Sequence, residues 1–125
     1  MQCLARVAWV CVLQLMVLVG GCSTIASDLD AATTVYRDAD YELVERWMDA
    51  LAVDRAAMSA GERLRYQYLS GMTAYRLGRA REALHHLLLA AALAQRAPDV
   101  LDSTDRVLME RTLDELQQSS YHHRG

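Results

Sequence analysis

Apolar and aromatic side chains recur at Leu64, Tyr68, Met72 and Tyr75, with Leu69 and Ala74 alongside. This spacing of three and four predicts one face of an amphipathic helix. Upstream, Ser59 and Glu62 form the S-x-x-E pattern of a capping box, in which the hydroxyl satisfies an orphan amide and the carboxylate reaches back. Gly78 supplies the left-handed residue that a helix C-terminus often needs. Helical spacing resumes through Ala83, Leu84, Leu87, Leu88 and Ala91, so a second helix folds back after a very short turn. Residues 63–92 thus predict a helical hairpin, and the surrounding chain reads as its support.

The same pattern precedes it. Ser27 or Asp28 can cap a helix running to about Asp38, with Leu29, Ala32, Thr33, Val35 and Tyr36 inward. Asp40 can cap a second helix through Leu43, Val44, Trp47, Met48 and Leu51. At an offset of 39 residues Val35-Tyr36-Arg37 aligns with Ala74-Tyr75-Arg76, Ala39 with Gly78, Val44 with Ala83, Met48 with Leu87 and Leu51 with Ala90. The two hairpins therefore read as copies. After the Ala97-Pro98-Asp99 break, Asp102 or Ser103 caps a last helix with Val107, Leu108, Thr112, Leu113 and Leu116 inward. Residues 117–125 are polar, and fraying is expected there. The fold class is all-α: two antiparallel helical hairpins and a C-terminal capping helix, with no strand.

Gly71, Ala74, Tyr75, Gly78, Glu82-Ala83-Leu84, Leu87 and Ala90 carry a resemblance. Their small-and-large pattern resembles a tetratricopeptide repeat, in which small residues let two helix backbones approach while bulky neighbours fill the groove. Gln67 stands where the family has tryptophan, and the closing proline arrives late, as Pro98. The family period is about 34 residues, so the longer offset places extra residues in the connection 53–61. The resemblance implies a right-handed stack closed by the last helix, with the first helix of each pair lining a concave surface. It places Tyr36, Arg37, Arg65, Tyr68, Met72, Tyr75 and Arg76 on that surface as a protein-binding groove. Tyrosine and arginine are favoured interface anchors, and the set reads as basic and aromatic, suited to an acidic or C-terminal peptide segment.

Composition changes the picture mainly at the N-terminus. The chain has 125 residues, 13 basic and 16 acidic side chains, no Lys, Asn or Phe, and all its basic residues are Arg. The arginines are interspersed with acids, which disfavours nucleic-acid binding. In residues 1–21, however, Arg6 is the only charge, residues 7–19 are apolar except for Gln14, and Gly20-Gly21 precede Cys22. A basic start, an apolar core and a small-residue exit describe a secretory signal peptide. Leu18-Val19-Gly20-Gly21-Cys22 resembles the lipobox of bacterial lipoproteins. That resemblance implies cleavage before Cys22, a diacylglycerol on its sulfur and an N-acyl chain, which together anchor a protein firmly. Ser23 resembles the serine of lipoproteins sorted to the outer membrane, facing the periplasm. Cys3 and Cys11 leave with the leader, so no internal disulfide remains. The expected organisation is a signal peptide over 1–21, a lipidated tether over 22–27, a helical domain over 28–120 and a disordered tail over 121–125.

Catalysis is not expected. His85 and His86 are adjacent, so their rings diverge by about 100° on a helix and share a metal poorly. The serines are mostly tether, cap or tail positions, and no G-x-S-x-G or phosphate loop is present. No metal or cofactor is called for beyond the lipid on Cys22. The expected role is a membrane-anchored adaptor or assembly factor for an envelope complex, pilotin-like by analogy, with an envelope protein as its partner. The rival expectation is a small-ligand carrier or transporter-associated periplasmic subunit. Two repeats bury little by themselves, which leaves a homo-oligomer open.

Overall fold

The computed structural model describes residues 24–122, and among these 86% are helical and no strand is present. Five α-helices follow in order: α1 (Thr24–Arg37), α2 (Tyr41–Leu51), α3 (Ala60–Arg76), α4 (Ala80–Arg96) and α5 (Ser103–His122), with a 3-10 segment (Ala52–Ala57) between α2 and α3. The leader, Cys22 and Ser23 lie outside the described residues. Among the described residues no helix is long and apolar enough to cross a membrane.

Helix α3 organises the packing because it is apolar on more than one side. Leu64, Tyr68 and Met72 face a core shared with Ala83, Leu87 and Ala90 of α4 and with Met109, Leu113 and Leu116 of α5. Tyr66 and Leu69 face a second core with Leu29 and Ala32 of α1 and Val44, Met48 and Leu51 of α2. Tyr36 packs against both. The contact between α3 and α4 is the most extensive in the molecule. It depends on Gly71, where an added Cβ would lie 2.6 Å from Leu87 Cγ and 3.1 Å from the Leu87 backbone nitrogen. Only a residue without a side chain permits that approach.

The two hairpins turn in the same way. Asp40 N–H donates to the Val35 carbonyl and Ala39 N–H to Tyr36; Arg79 N–H donates to Ala74 and Gly78 N–H to Tyr75. These are Schellman closures, and they repeat at the 39-residue offset. The residues paired by that offset are buried in both copies: Val44 and Ala83, Met48 and Leu87, Leu51 and Ala90. Where the second turn has Gly78 at φ 76°, the first has Ala39 at φ 62°. Left-handed backbone costs an alanine roughly 1–2 kcal/mol. Ala39→Gly is therefore expected to stabilise the fold by about 1 kcal/mol, raising the melting temperature by roughly 4–8 °C in a thermal scan.

Caps act where the sequence places them. Leu43 N–H donates to Asp40 Oδ1 and Glu62 N–H to Ser59 Oγ at 3.1 Å. Asp105 N–H donates to Asp102 Oδ1 at 2.8 Å, which makes Asp102 the cap of α5. Helix α4 ends at Arg96, before the restricted residue Ala97 that precedes Pro98.

Several expectations need correction. The chain is already helical at Thr24, so Ser27 and Asp28 lie inside α1 and do not cap it. The connection 53–61, where the extra residues were expected, is ordered by the 3-10 segment, which leads to Met58, buried beside α2. Helix α5 continues to His122, beyond the expected fraying point. Its inner stripe is Leu108, Met109, Thr112, Leu113 and Leu116, whereas Val107 is 53% exposed. Val107 shares its stripe with Arg111 and Asp114, both outward, while Met109 completes the apolar one. Leu88 is likewise exposed, one step away from the buried line of Ala83, Leu87 and Ala90.

Candidate functional site: a cleft between α1, α3 and α5

Three helices contribute side chains of similar spacing to one surface cleft of about 280 Å³. Helix α1 presents Thr33, Tyr36 and Arg37, and α3 presents Arg65, Tyr68 and Leu69, each set at i, i+3 and i+4. The opposite wall is Val100, Leu101 and Asp102 of the α4–α5 connection, with Asp105 and Leu108 of α5. The α1 and α3 stripes meet there because both helices pack their neighbouring faces into the cores and leave this one open.

The polar groups are tied across the cleft. Tyr68 is only 8% exposed, and its hydroxyl donates to Asp105 Oδ1 at 3.0 Å. Burial first, then the nearby Asp105 carboxylate, pushes the Tyr68 phenol far up from its ordinary value. Arg65 forms an ion pair with Asp30 of α1. Arg37 is exposed at the end of α1 and makes no ion pair among the described residues.

Four of the seven residues expected in a groove, Tyr36, Arg37, Arg65 and Tyr68, therefore line one cleft. The other three do not. Met72 is completely buried in the α3–α4–α5 core and presents no surface. Tyr75 donates from its hydroxyl to Glu115 Oε2 at 2.9 Å, and this bond, ahead of burial, pushes its phenol up. Arg76 Nε donates to the Tyr36 hydroxyl at 3.4 Å, which holds Tyr36 in place from outside the cleft. The Tyr36 ring also meets Tyr41, with centroids 5.3 Å apart.

The acidic wall escaped the sequence reading. Asp102 reads from the sequence as a helix cap and Asp105 as an outward-facing acid of the last helix, so nothing in the one-dimensional pattern placed them opposite Arg37. The cleft is thus two-sided in charge rather than basic throughout.

The histidine pair lies elsewhere. His85 is exposed, but His86 is half-buried, with Nδ1 2.7 Å from Oε1 of the buried Gln67, the residue at the family's tryptophan position. Burial first, then His85, pushes the His86 pKa below 6.5, with Arg55 adding to the effect and Glu82 opposing it. The folded protein therefore takes up this proton at lower pH than the unfolded chain. Stability is complete above 6.5 and declines as the pH falls through the lowered folded value. His86→Gln is expected to flatten that decline in melting temperature measured against pH. Among the described residues no group of three or more His, Cys, Asp or Glu side chains could hold a metal ion.

No protein-family model, curated protein or solved structure matches this chain.

Proposed function

We propose that this chain is a lipid-anchored bacterial envelope protein whose helical stack, similar to tetratricopeptide repeats, binds another protein through the cleft between α1, α3 and α5. The observation that carries the reading is the convergence of Tyr36, Arg37, Arg65 and Tyr68 from two helices onto one cleft that Leu69, Leu101 and Leu108 also line. Aromatic and arginine side chains held by neighbours are pre-organised, and ordering costs on binding fall accordingly. A cleft of about 280 Å³ lies below the usual 300–1,000 Å³ of small-molecule pockets, so it suits one or two anchoring side chains of a partner better than an enclosed metabolite. The role is non-catalytic in this reading: Tyr68 is held protonated by burial and Asp105, and Arg65 is engaged by Asp30.

The leader over 1–21 and acylation of Cys22 complete the proposal and place the domain on the periplasmic side of the outer membrane. An assembly factor of pilotin type fits such a combination. Cys22→Ala is expected to accumulate unprocessed precursor and to lose acyl labelling entirely; normal labelling would remove the anchor from the account. For the cleft, Thr33→Trp places an indole among its lining residues, whereas Leu88→Trp adds one on an exposed site outside it. Affinity capture from membranes is expected to lose its specific partner with the first variant and keep it with the second. Retention by both would overturn the cleft as the binding site.

A further inference from the structure

The cleft's charge arrangement goes further than its existence. We infer that it recognises a partner segment in which a basic side chain stands beside an aliphatic one, with the basic group docked against Asp102 and Asp105; this rests on the reading of the cleft as the partner site.

Both carboxylates line the same wall, and each has one oxygen committed. Asp102 Oδ1 accepts from Asp105 N–H at 2.8 Å, and Asp105 Oδ1 accepts from Tyr68 at 3.0 Å. The second oxygen of each has no protein donor among the described residues, and a guanidinium or ammonium supplies the charge-assisted donor that suits it. The positive end of the α5 dipole opposes a cation there, but it amounts to about half an elementary charge against two carboxylates. Arg65 does not offset them, because Asp30 neutralises it. Arg37 remains on the other wall and directs a cation away from α1 towards α5. The raised Tyr68 phenol has the same origin, since the carboxylates of Asp105 and Asp102 both contribute to it after burial. Val100, Leu101 and Leu108 adjoin the acidic pair and give an aliphatic neighbour, or the stem of an arginine, an apolar surface.

The experiment titrates the full chain, methyl-labelled at leucine and held in detergent micelles, with N-acetyl-leucyl-arginine amide and with N-acetyl-leucyl-glutamate amide. The arginine probe is expected to shift the methyl signals of Leu69, Leu101 and Leu108, binding at least about tenfold more tightly than the glutamate probe. Asp105→Asn, which still offers Tyr68 an acceptor, is expected to erase most of that preference. Asp102→Ser keeps a capping side chain and is expected to weaken the arginine probe as well. Equal or tighter binding of the glutamate probe at the same methyls overturns the inference while leaving the cleft as a binding site. If neither probe moves those methyls, the cleft reading falls and the inference falls with it.

Discussion

Replacing Gly71 with alanine is expected to lower stability by about 2 kcal/mol, or roughly 8–16 °C in melting temperature for a domain of this size. The prediction runs against helix propensity, which by itself favours alanine over glycine by about 1 kcal/mol in a helix interior. Geometry decides the sign. The new Cβ would stand 2.6 and 2.7 Å from Leu87 Cγ and Cδ2, which a rotamer change could relieve, but also 3.1 Å from the Leu87 backbone nitrogen. A backbone atom cannot swing away, so α3 and α4 must separate, and this is the most extensive contact in the molecule. Gly71→Val is expected to be worse, since its branches add volume at the same point. A thermal scan showing Gly71→Ala as stable as the parent would mean that α3 and α4 do not pack through this pair.

The second large effect is at the other side of the same contact. Leu87 is completely buried, and Leu87→Ala is expected to cost about 3 kcal/mol through lost transfer energy and the cavity left behind. The informative result is the double variant. In the Gly71→Ala background, the same truncation removes the side-chain atoms that the new methyl strikes, so its cost should fall by about 1 kcal/mol. Denaturant melts of the four proteins measure this coupling. Strict additivity would contradict the direct contact between residues 71 and 87.

Much of this architecture is legible in the sequence. The three-and-four spacing of Leu64, Tyr68 and Met72, the cap at Ser59 and the left-handed Gly78 are local signals, and local signals survive folding. The 39-residue offset survived as well, because Ala39 adopts the conformation of Gly78 at an energetic cost that its hairpin tolerates. What failed was phase on the outer helices. Val107 is apolar yet shares its stripe with exposed residues, Leu88 lies beyond the partly buried Leu84 and Ala91 at the edge of the α4 apolar face, and a hydrophobic residue on the surface carries little penalty. Met72 failed for a related reason. It lies on the same stripe as Tyr68, but α4 and α5 cover that end of α3, and coverage is set by tertiary packing. The acidic wall was hidden by its own explanation, because Asp102 satisfies the start of α5 whether or not it also faces Arg65 and Tyr68 across a cleft.

The central claim is that this cleft touches a partner while the protein sits in the envelope. The most direct measurement places a photo-crosslinking amino acid at Thr33, Arg37 or Leu108 in living cells, with Leu88 and Val107 as exposed positions outside the cleft. The account predicts one discrete crosslinked species from the first three positions, lost when the cleft is filled from a neighbouring position, and none from the last two. Crosslinking as strong from Leu88 and Val107, or none from the cleft, would contradict it.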